Sequence, residues 1–183
     1  MLTELQNNII SDKVYLLDSS RKDYESSFKE YPVLKYDDEL DIGSYKIIKV
    51  EDNQENGMQA MAVAPIGTDG QPDYSQITIV YAGTNFSDPN DTGTDLQMLG
   101  YGDTKELNRY EGEYASRKVE SQAVTALRFA EEIRKQYRNA QITTTGHSLG
   151  ESLAIYVALK NGWDNMGSHG PDIHNMITHE DLA

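Results

Sequence analysis

A serine between two glycines constrains this chain more than any other feature. Residues 142–154 read ITTTGHSLGESLA, in which a β-branched run predicts a strand and the apolar residues after Gly150 predict a helix. Ser148 then stands at the apex of a sharp strand-to-helix turn of the pattern G-x-S-x-G, whose glycines allow close backbone approach. Such a turn strains the serine and pushes its Oγ out of the sheet. It also leaves the Leu149 N–H at a helix N-terminus, where it can bind an oxyanion. We expect Ser148 to be a nucleophile and Leu149 an oxyanion donor. The alternative is a chance match to the pattern, with an ordinary, bonded serine.

The remaining pattern predicts an α/β fold. Strands are expected at residues 44–50, 58–66, 76–82 and 141–145, the first two as a hairpin. Residues 113–139 contain neither glycine nor proline, and their apolar residues recur every three or four positions, which predicts one long amphipathic helix. This helix would connect two parallel strands in a mostly parallel sheet with flanking helices.

The length of 183 residues is enough for one domain with a real core, so we expect a single domain over residues 1–183. Residues 1–42 are rich in charge and tyrosine, and we expect them to form a helical N-terminal cover on one edge of that core.

The charge balance argues against two classes of partner. The formal net charge is -14, from 16 basic and 30 acidic residues, so phosphates of nucleic acid and anionic membrane surfaces would repel the chain. The N-terminus lacks the basic and apolar regions of a secretory signal, and no apolar run approaches the roughly 20 residues of a membrane span. The compartment stays open between the cytoplasm and export by a signal-less route.

A second informative stretch, residues 83–103, follows a buried strand at the end where open α/β sheets place their chemistry. Within it, residues 88–93 read DPNDTG and imitate the start of a calcium loop. The glutamate that should close such a loop is replaced by Leu99, so we interpret the stretch as a turn-rich loop. We expect neither a metal nor a cofactor.

These two motifs, in this order, resemble those of the class 3 (fungal-type) lipases. TTTGHSLGESLA resembles the family's nucleophile turn, and IVYAGTNFSDPNDTGTDL resembles the segment before its long helix; the resemblance covers roughly residues 45–160. It implies an α/β-hydrolase fold and hydrolysis of lipid carboxylic esters without metal. It also implies Ser148 as the nucleophile, and Thr84 as the oxyanion-hole residue beside Leu149.

The chain departs from that family in two places. Glu151 replaces a glycine, a change that the helix dipole favours but that could also crowd the site. Only about 35 residues follow Ser148, whereas the triad acid and base of this fold follow the serine on later strands. We therefore expect a fold truncated at its C-terminus.

The triad base is not identified by position. His147 adjoins the serine and is expected to point away from it. His174 with Asp172 could form an improvised acid–histidine pair, and the alternative is two polar residues in a terminal loop. The histidines of the chain all lie at or after the turn: His147, His169, His174 and His179.

Two functional hypotheses follow. The first is a serine hydrolase of the lipase or esterase type acting on lipid esters, compatible with a secreted effector. The second is a catalytically incomplete hydrolase-fold fragment, or a binding module, that needs a further domain or partner protein.

Overall fold

The computed structural model describes residues 4–35, 43–83, 102, 104–110, 115–167, 170 and 172–177. In this part of the chain a six-stranded mixed sheet is flanked by helices, and a separate two-stranded sheet lies beside it. The architecture is α/β, as expected.

The strands are β1 (Val33–Lys35), β2 (Ser44–Asp52), β3 (Gln59–Pro65), β4 (Gln76–Tyr81), β5 (Glu106–Tyr110), β6 (Ser116–Glu120), β7 (Gln141–Gly146) and β8 (Asp164–Asn165). The α-helices are α1 (Glu4–Lys13), α2 (Gln122–Gln136) and α3 (Leu149–Asn161). Short 3₁₀ turns lie at Val14–Leu17, Ser26–Glu30 and His174–Met176.

The six strands have the order β1-β2-β3-β4-β7-β8. Strands β4 and β7 pair in parallel from Gln76↔Gln141 to Tyr81↔Gly146, which confirms that strands 76–82 and 141–145 are neighbours in one sheet. The expectation of a mostly parallel sheet is wrong for the described strands, because β1 to β4 are antiparallel neighbours. The connections that lead from β2 to β4 contain no helix, and such connections can only join antiparallel neighbours.

Each face of the sheet has its own core. Ile77, Ile79 and Tyr81 of β4 belong to the cluster that α2 and α3 complete, whereas Val80 belongs to the cluster completed by α1 and the turn after it. This alternation is the period of two that a strand buried on both faces requires. The turn between β7 and α3, residues 146–150, is called the elbow below. It is therefore held between two packed layers.

The predicted helix at residues 113–139 is too long. Helix α2 begins at Gln122, and Ser116–Glu120 is instead a strand, paired with β5 as a hairpin. Ser121 ends the strand and caps the helix, because its hydroxyl accepts a hydrogen bond from the Val124 N–H at 3.2 Å. Val119 fits the helical period, but it is buried as a residue of strand β6. The absence of glycine and proline also permits a strand as readily as a helix.

The N-terminal region is only partly the helical cover that was expected. Within its described residues, α1 and the next turn place Ile10, Val14 and Leu17 against the sheet, where they are fully buried. Strand β1 was not expected and forms one edge of the sheet. No helix in the described ranges is both long and apolar enough to cross a membrane.

Candidate active site

Ser148 has the backbone conformation expected of a strained strand-to-helix turn. Its φ of 56° and ψ of -128° place it outside the ordinary regions for a side-chain-bearing residue, directly between β7 and α3. Strain of this kind costs about 1–3 kcal/mol and persists only where the surrounding structure enforces it. An ordinary helical backbone at Ser148 is therefore excluded.

The flanking glycines enforce the turn. A Cβ added at Gly146 would overlap the Gly150 carbonyl and lie 2.6 Å from the Glu151 nitrogen. One added at Gly150 would overlap the Tyr81 carbonyl oxygen and lie 2.7 Å from the Ala82 carbonyl carbon. The first turn of α3 is thus in direct contact with β7 on one side and with the end of β4 on the other.

Of the two predicted oxyanion donors, Leu149 and Thr84, only Leu149 lies within the described residues. Leu149 is the first residue of α3, so its N–H has no acceptor within the helix. Thr84, the other predicted donor, lies outside the described residues. Gly83, immediately before it, is buried, and a Cβ added there would lie 3.3 Å from the Ser148 Cβ. The backbone leading to Thr84 therefore passes against the elbow.

Tyr15 is a neighbour of the elbow that sequence reasoning missed. Its hydroxyl lies 3.4 Å from His147 Nδ1 and 3.5 Å from the His147 carbonyl oxygen. It also lies 2.5 Å from the position that a Cβ of Gly83 would take, and the Ser148 Cβ lies 3.3 Å from the same position. Tyr15 thus adds a phenolic donor and acceptor at this end of β4 and β7. No local signal marks it, because it follows α1 as one of the chain's 12 tyrosines.

The candidate bases are not joined to the serine among the described residues. His147 is exposed. Asp172 Oδ1 accepts the main-chain N–H of His174 at 2.9 Å, which forms a local turn, and no hydrogen bond in the described ranges joins the His174 imidazole to Ser148. His169, His179 and the loop at residues 88–93 lie outside the described residues.

Glu151 is accommodated on the β8 side of the elbow. It is 2% exposed, and a Cβ at Gly170 would lie 2.7 Å from its Cγ. A Cβ at Gly167 would overlap its carboxyl. Burial raises the pKa of Glu151 to about 7, while hydrogen bonds from the Asn165 side chain and the Gly146 N–H act in the opposite direction. The Glu151 side chain therefore occupies space that is free because residues 167 and 170 are glycines.

Two other features do not form part of the elbow. No group of three or more His, Cys, Asp or Glu side chains that could hold a metal is found in the described ranges. A cavity of about 240 Å³ is lined by Gln76, Thr78, Gln141 and Thr143. These residues start β4 and β7, so the cavity lies at the opposite end of the strands from Ser148.

Comparisons with known proteins give structural similarity alone. Neither a protein-family model nor a curated protein matches the chain. The chain is similar to a fungal lipase–inhibitor complex described as a model for interfacial activation, with 21% identity over 63% of this chain and 39% of that chain and a TM-score of 0.34. It is also similar to the native propeptide complex of Rhizomucor miehei lipase, with 20% identity over 62% of this chain and 34% of that chain and a TM-score of 0.33. The chain thus spans 34–39% of the length of these lipase chains.

Proposed function

We propose that this chain carries the nucleophile turn of a lipase- or esterase-type serine hydrolase with an α/β-hydrolase fold, acting on lipid carboxylic esters. The observation that carries the proposal is the φ of 56° and ψ of -128° at Ser148, at the point where a parallel strand enters a helix. Gly146 and Gly150 support it, because a Cβ at either position would overlap backbone atoms on the two sides of the turn.

In this mechanism the Ser148 Oγ attacks the ester carbonyl carbon, and the carbonyl oxygen becomes negatively charged. The Leu149 N–H and Thr84 stabilise that charge. The ester C–O bond then breaks, and the leaving oxygen takes the proton that the Ser148 hydroxyl gave up, so an alcohol departs and an acyl-enzyme remains. Water attacks the acyl carbon, the bond to Ser148 Oγ breaks, and the acid and the free serine hydroxyl are released. The Tyr15 hydroxyl, at the same end of the strands, supplies a further hydrogen bond to the substrate or to the intermediate.

A second candidate function has its own support. Asp172 binds the main chain of its own turn, and no described histidine hydrogen-bonds to Ser148. A serine hydroxyl without a base is a weak nucleophile. The alternative is therefore a catalytically incomplete hydrolase fold that binds an ester or lipid, or that completes its site with a partner protein.

Covalent labelling separates the two. The purified chain is treated with a fluorophosphonate, and hydrolysis of p-nitrophenyl butyrate is measured in parallel. We expect labelling at Ser148 that disappears in Ser148→Ala and persists in Ser116→Ala, which changes an exposed serine of β6. Without a base, turnover retains only the contributions of substrate binding and the oxyanion hole, about 10³–10⁴ over water. A folded wild-type chain that takes up no label contradicts the nucleophile and leaves the incomplete fold.

The base is tested by single alanine substitutions at the four histidines, beginning with His174. General-base catalysis contributes typically about 10²–10⁴-fold, so loss of a true base should slow labelling by a comparable factor. Equal labelling rates in all four variants would mean that this chain supplies no histidine base.

A further inference from the structure

The carboxyl of Glu151 is a buried group that the proposed chemistry does not use. Glu151 lies in the first turn of α3, is 2% exposed, and its Oε2 has no hydrogen-bond partner among the described residues. A buried acceptor without a partner is costly, and an ionised one far more so. Its surroundings must therefore explain how the carboxyl is tolerated.

The group is covered by residues 164–167, which we call the strap. Asn165 of the strap lies close enough to the carboxyl to oppose the rise of its pKa, and a Cβ at Gly167 would overlap Oε2. A Cβ at Gly170, beyond the strap, would lie 2.7 Å from Glu151 Cγ. Main chain at Gly167 therefore lies directly against the carboxyl. A proton on the carboxyl removes the charge that this contact would otherwise bury.

The strap is a short segment at the edge of the described sheet. Its strand β8 pairs with β7 through two residues only, Asp164 and Asn165. Beyond that pairing, Met166 N–H donates to the Thr144 carbonyl at 2.9 Å, and the Met166 carbonyl accepts from Asn7 at 3.4 Å. The Asn165 side-chain amide also donates to Thr144, at 3.4 Å to its carbonyl and 3.2 Å to its hydroxyl. A short edge segment with few bonds opens at a small fraction of the global unfolding free energy.

The charged groups of the surrounding elements do not explain the raised pKa of Glu151. Helix α3 carries Lys160 in its last turn, the strap carries the exposed Asp164, and the segment after Gly170 carries the exposed Asp172 and His174. Strand β7 contributes no charged side chain. Burial is the largest cause of the raised pKa of Glu151, and the groups that oppose it, Asn165 and Gly146, act by hydrogen bonding rather than by charge.

We propose that protonation of Glu151 holds the strap against the first turn of α3, and that ionisation of this carboxyl releases the strap. Releasing the strap lets water reach the carboxylate, which offsets the cost of the buried charge. The strap lies on the flank of the turn that begins at Ser148, so the elbow becomes accessible from the β8 side as pH rises through neutrality.

Hydrogen exchange and fluorescence test this proposal on the intact chain. Trp163 is the chain's one tryptophan, is partly buried and directly precedes the strap, so its emission reports on strap opening. Burial raises the pKa of Glu151 from 4.5 to about 7 in the closed form. The opening constant should therefore rise on the order of fifty-fold between pH 5 and pH 8. We expect this rise in strap amide exchange, corrected for the intrinsic effect of pH, together with a red shift of Trp163 emission.

Glu151→Gln keeps the size of the side chain but cannot ionise, so both signals should lose their pH dependence. Asp164→Asn, His169→Asn and His174→Asn should each keep it. A pH dependence that persists in Glu151→Gln, or that disappears in one of these three controls, overturns the proposal. If Glu151→Gln does not fold, the carbonyl stretch of a protonated carboxylic acid in the infrared spectrum of the wild type decides. The proposal requires that this band be lost near neutral pH together with the fluorescence change.

Discussion

Replacing Gly150 by alanine tests whether the contact between α3 and β4 enforces the elbow. The added Cβ would overlap the Tyr81 carbonyl oxygen and lie 2.7 Å from the carbonyl carbon and 2.8 Å from the carbonyl oxygen of Ala82. These are backbone atoms of a central strand and its continuation, so no side-chain rotation relieves the overlap. An ordinary contact between carbon and a carbonyl oxygen is about 3.3–3.6 Å, so the helix must move by about 1 Å.

The magnitude follows from two opposing effects. Alanine is favoured over glycine inside a helix by about 1 kcal/mol. Overpacking against rigid backbone costs typically about 1–3 kcal/mol, and here it also separates the fully buried Leu153 and Val157 from the sheet. The two effects alone leave a loss of about 0–2 kcal/mol in the free energy of unfolding, and the lost packing of Leu153 and Val157 places the expected value in the upper half of that range, at about 1–2 kcal/mol. A shift of about 1 Å at a reacting group can also cost about 100-fold in rate, so labelling of Ser148 should fall much more than stability does.

Urea denaturation followed by circular dichroism gives the first quantity, and the rate of fluorophosphonate labelling gives the second. Gly70→Ala is the matched control, because Gly70 has a φ of 77° and open space around it. It should lose about 1 kcal/mol from backbone strain alone and label at the wild-type rate. A Gly150→Ala variant with wild-type stability and labelling would refute the argument that backbone contact sets the conformation of Ser148.

Three further predictions concern stability. Burial raises the folded-state pKa of Glu151 from 4.5 to about 7, so the folded chain keeps this proton to a higher pH than the unfolded chain does. The free energy of unfolding should therefore fall by up to about 3 kcal/mol as the pH rises from below 4.5 to above 7. Urea midpoints at pH 5 and pH 8 measure the fall, which Glu151→Gln should abolish. Ser121→Ala removes the cap on the Val124 N–H and the bond to the Thr104 carbonyl, and should lower the melting temperature through a loss of about 1 kcal/mol or more; an unchanged melting curve would contradict the cap. Tyr81→Phe removes a buried hydrogen bond to the Ala126 carbonyl and should lower the free energy of unfolding by about 1 kcal/mol; a wild-type urea midpoint would show that this bond adds nothing to stability.

The parts of the fold that the sequence predicts are those set by local chemistry. The β-branched residues of β7 and the glycines after it predict the turn at Ser148, because backbone proximity there excludes a Cβ. Strand β4 is predicted by a continuous apolar run, which is typical of strands buried on both faces. The β5–β6 hairpin was missed because its second strand carries one buried side chain, Val119, which fits either period. Strand β1 has three residues, and its existence depends on pairing with β2.

The candidate site likewise contains residues that the sequence predicts and residues that it does not. Ser148 and Leu149 follow from a motif five residues long. Tyr15 reaches the elbow across 132 positions in the chain, and no local pattern carries that information. Sequence alone also left Glu151 open between tolerance and crowding, because the answer depends on two residues that reach it only after folding.

Glu151 and the glycines at 167 and 170 are best understood as one unit. A glutamate in the first turn of α3 needs volume, and the chain that covers it supplies that volume by having no side chain at the two points of contact. The helix dipole makes a carboxylate at this position favourable in water, whereas burial against main chain makes its ionised form unfavourable. The same residue is therefore compatible with the helix in either protonation state, but with the covering strap only when it is neutral. A glutamate at this position thus affects more than the packing of the elbow, because it makes one flank of the turn depend on a proton.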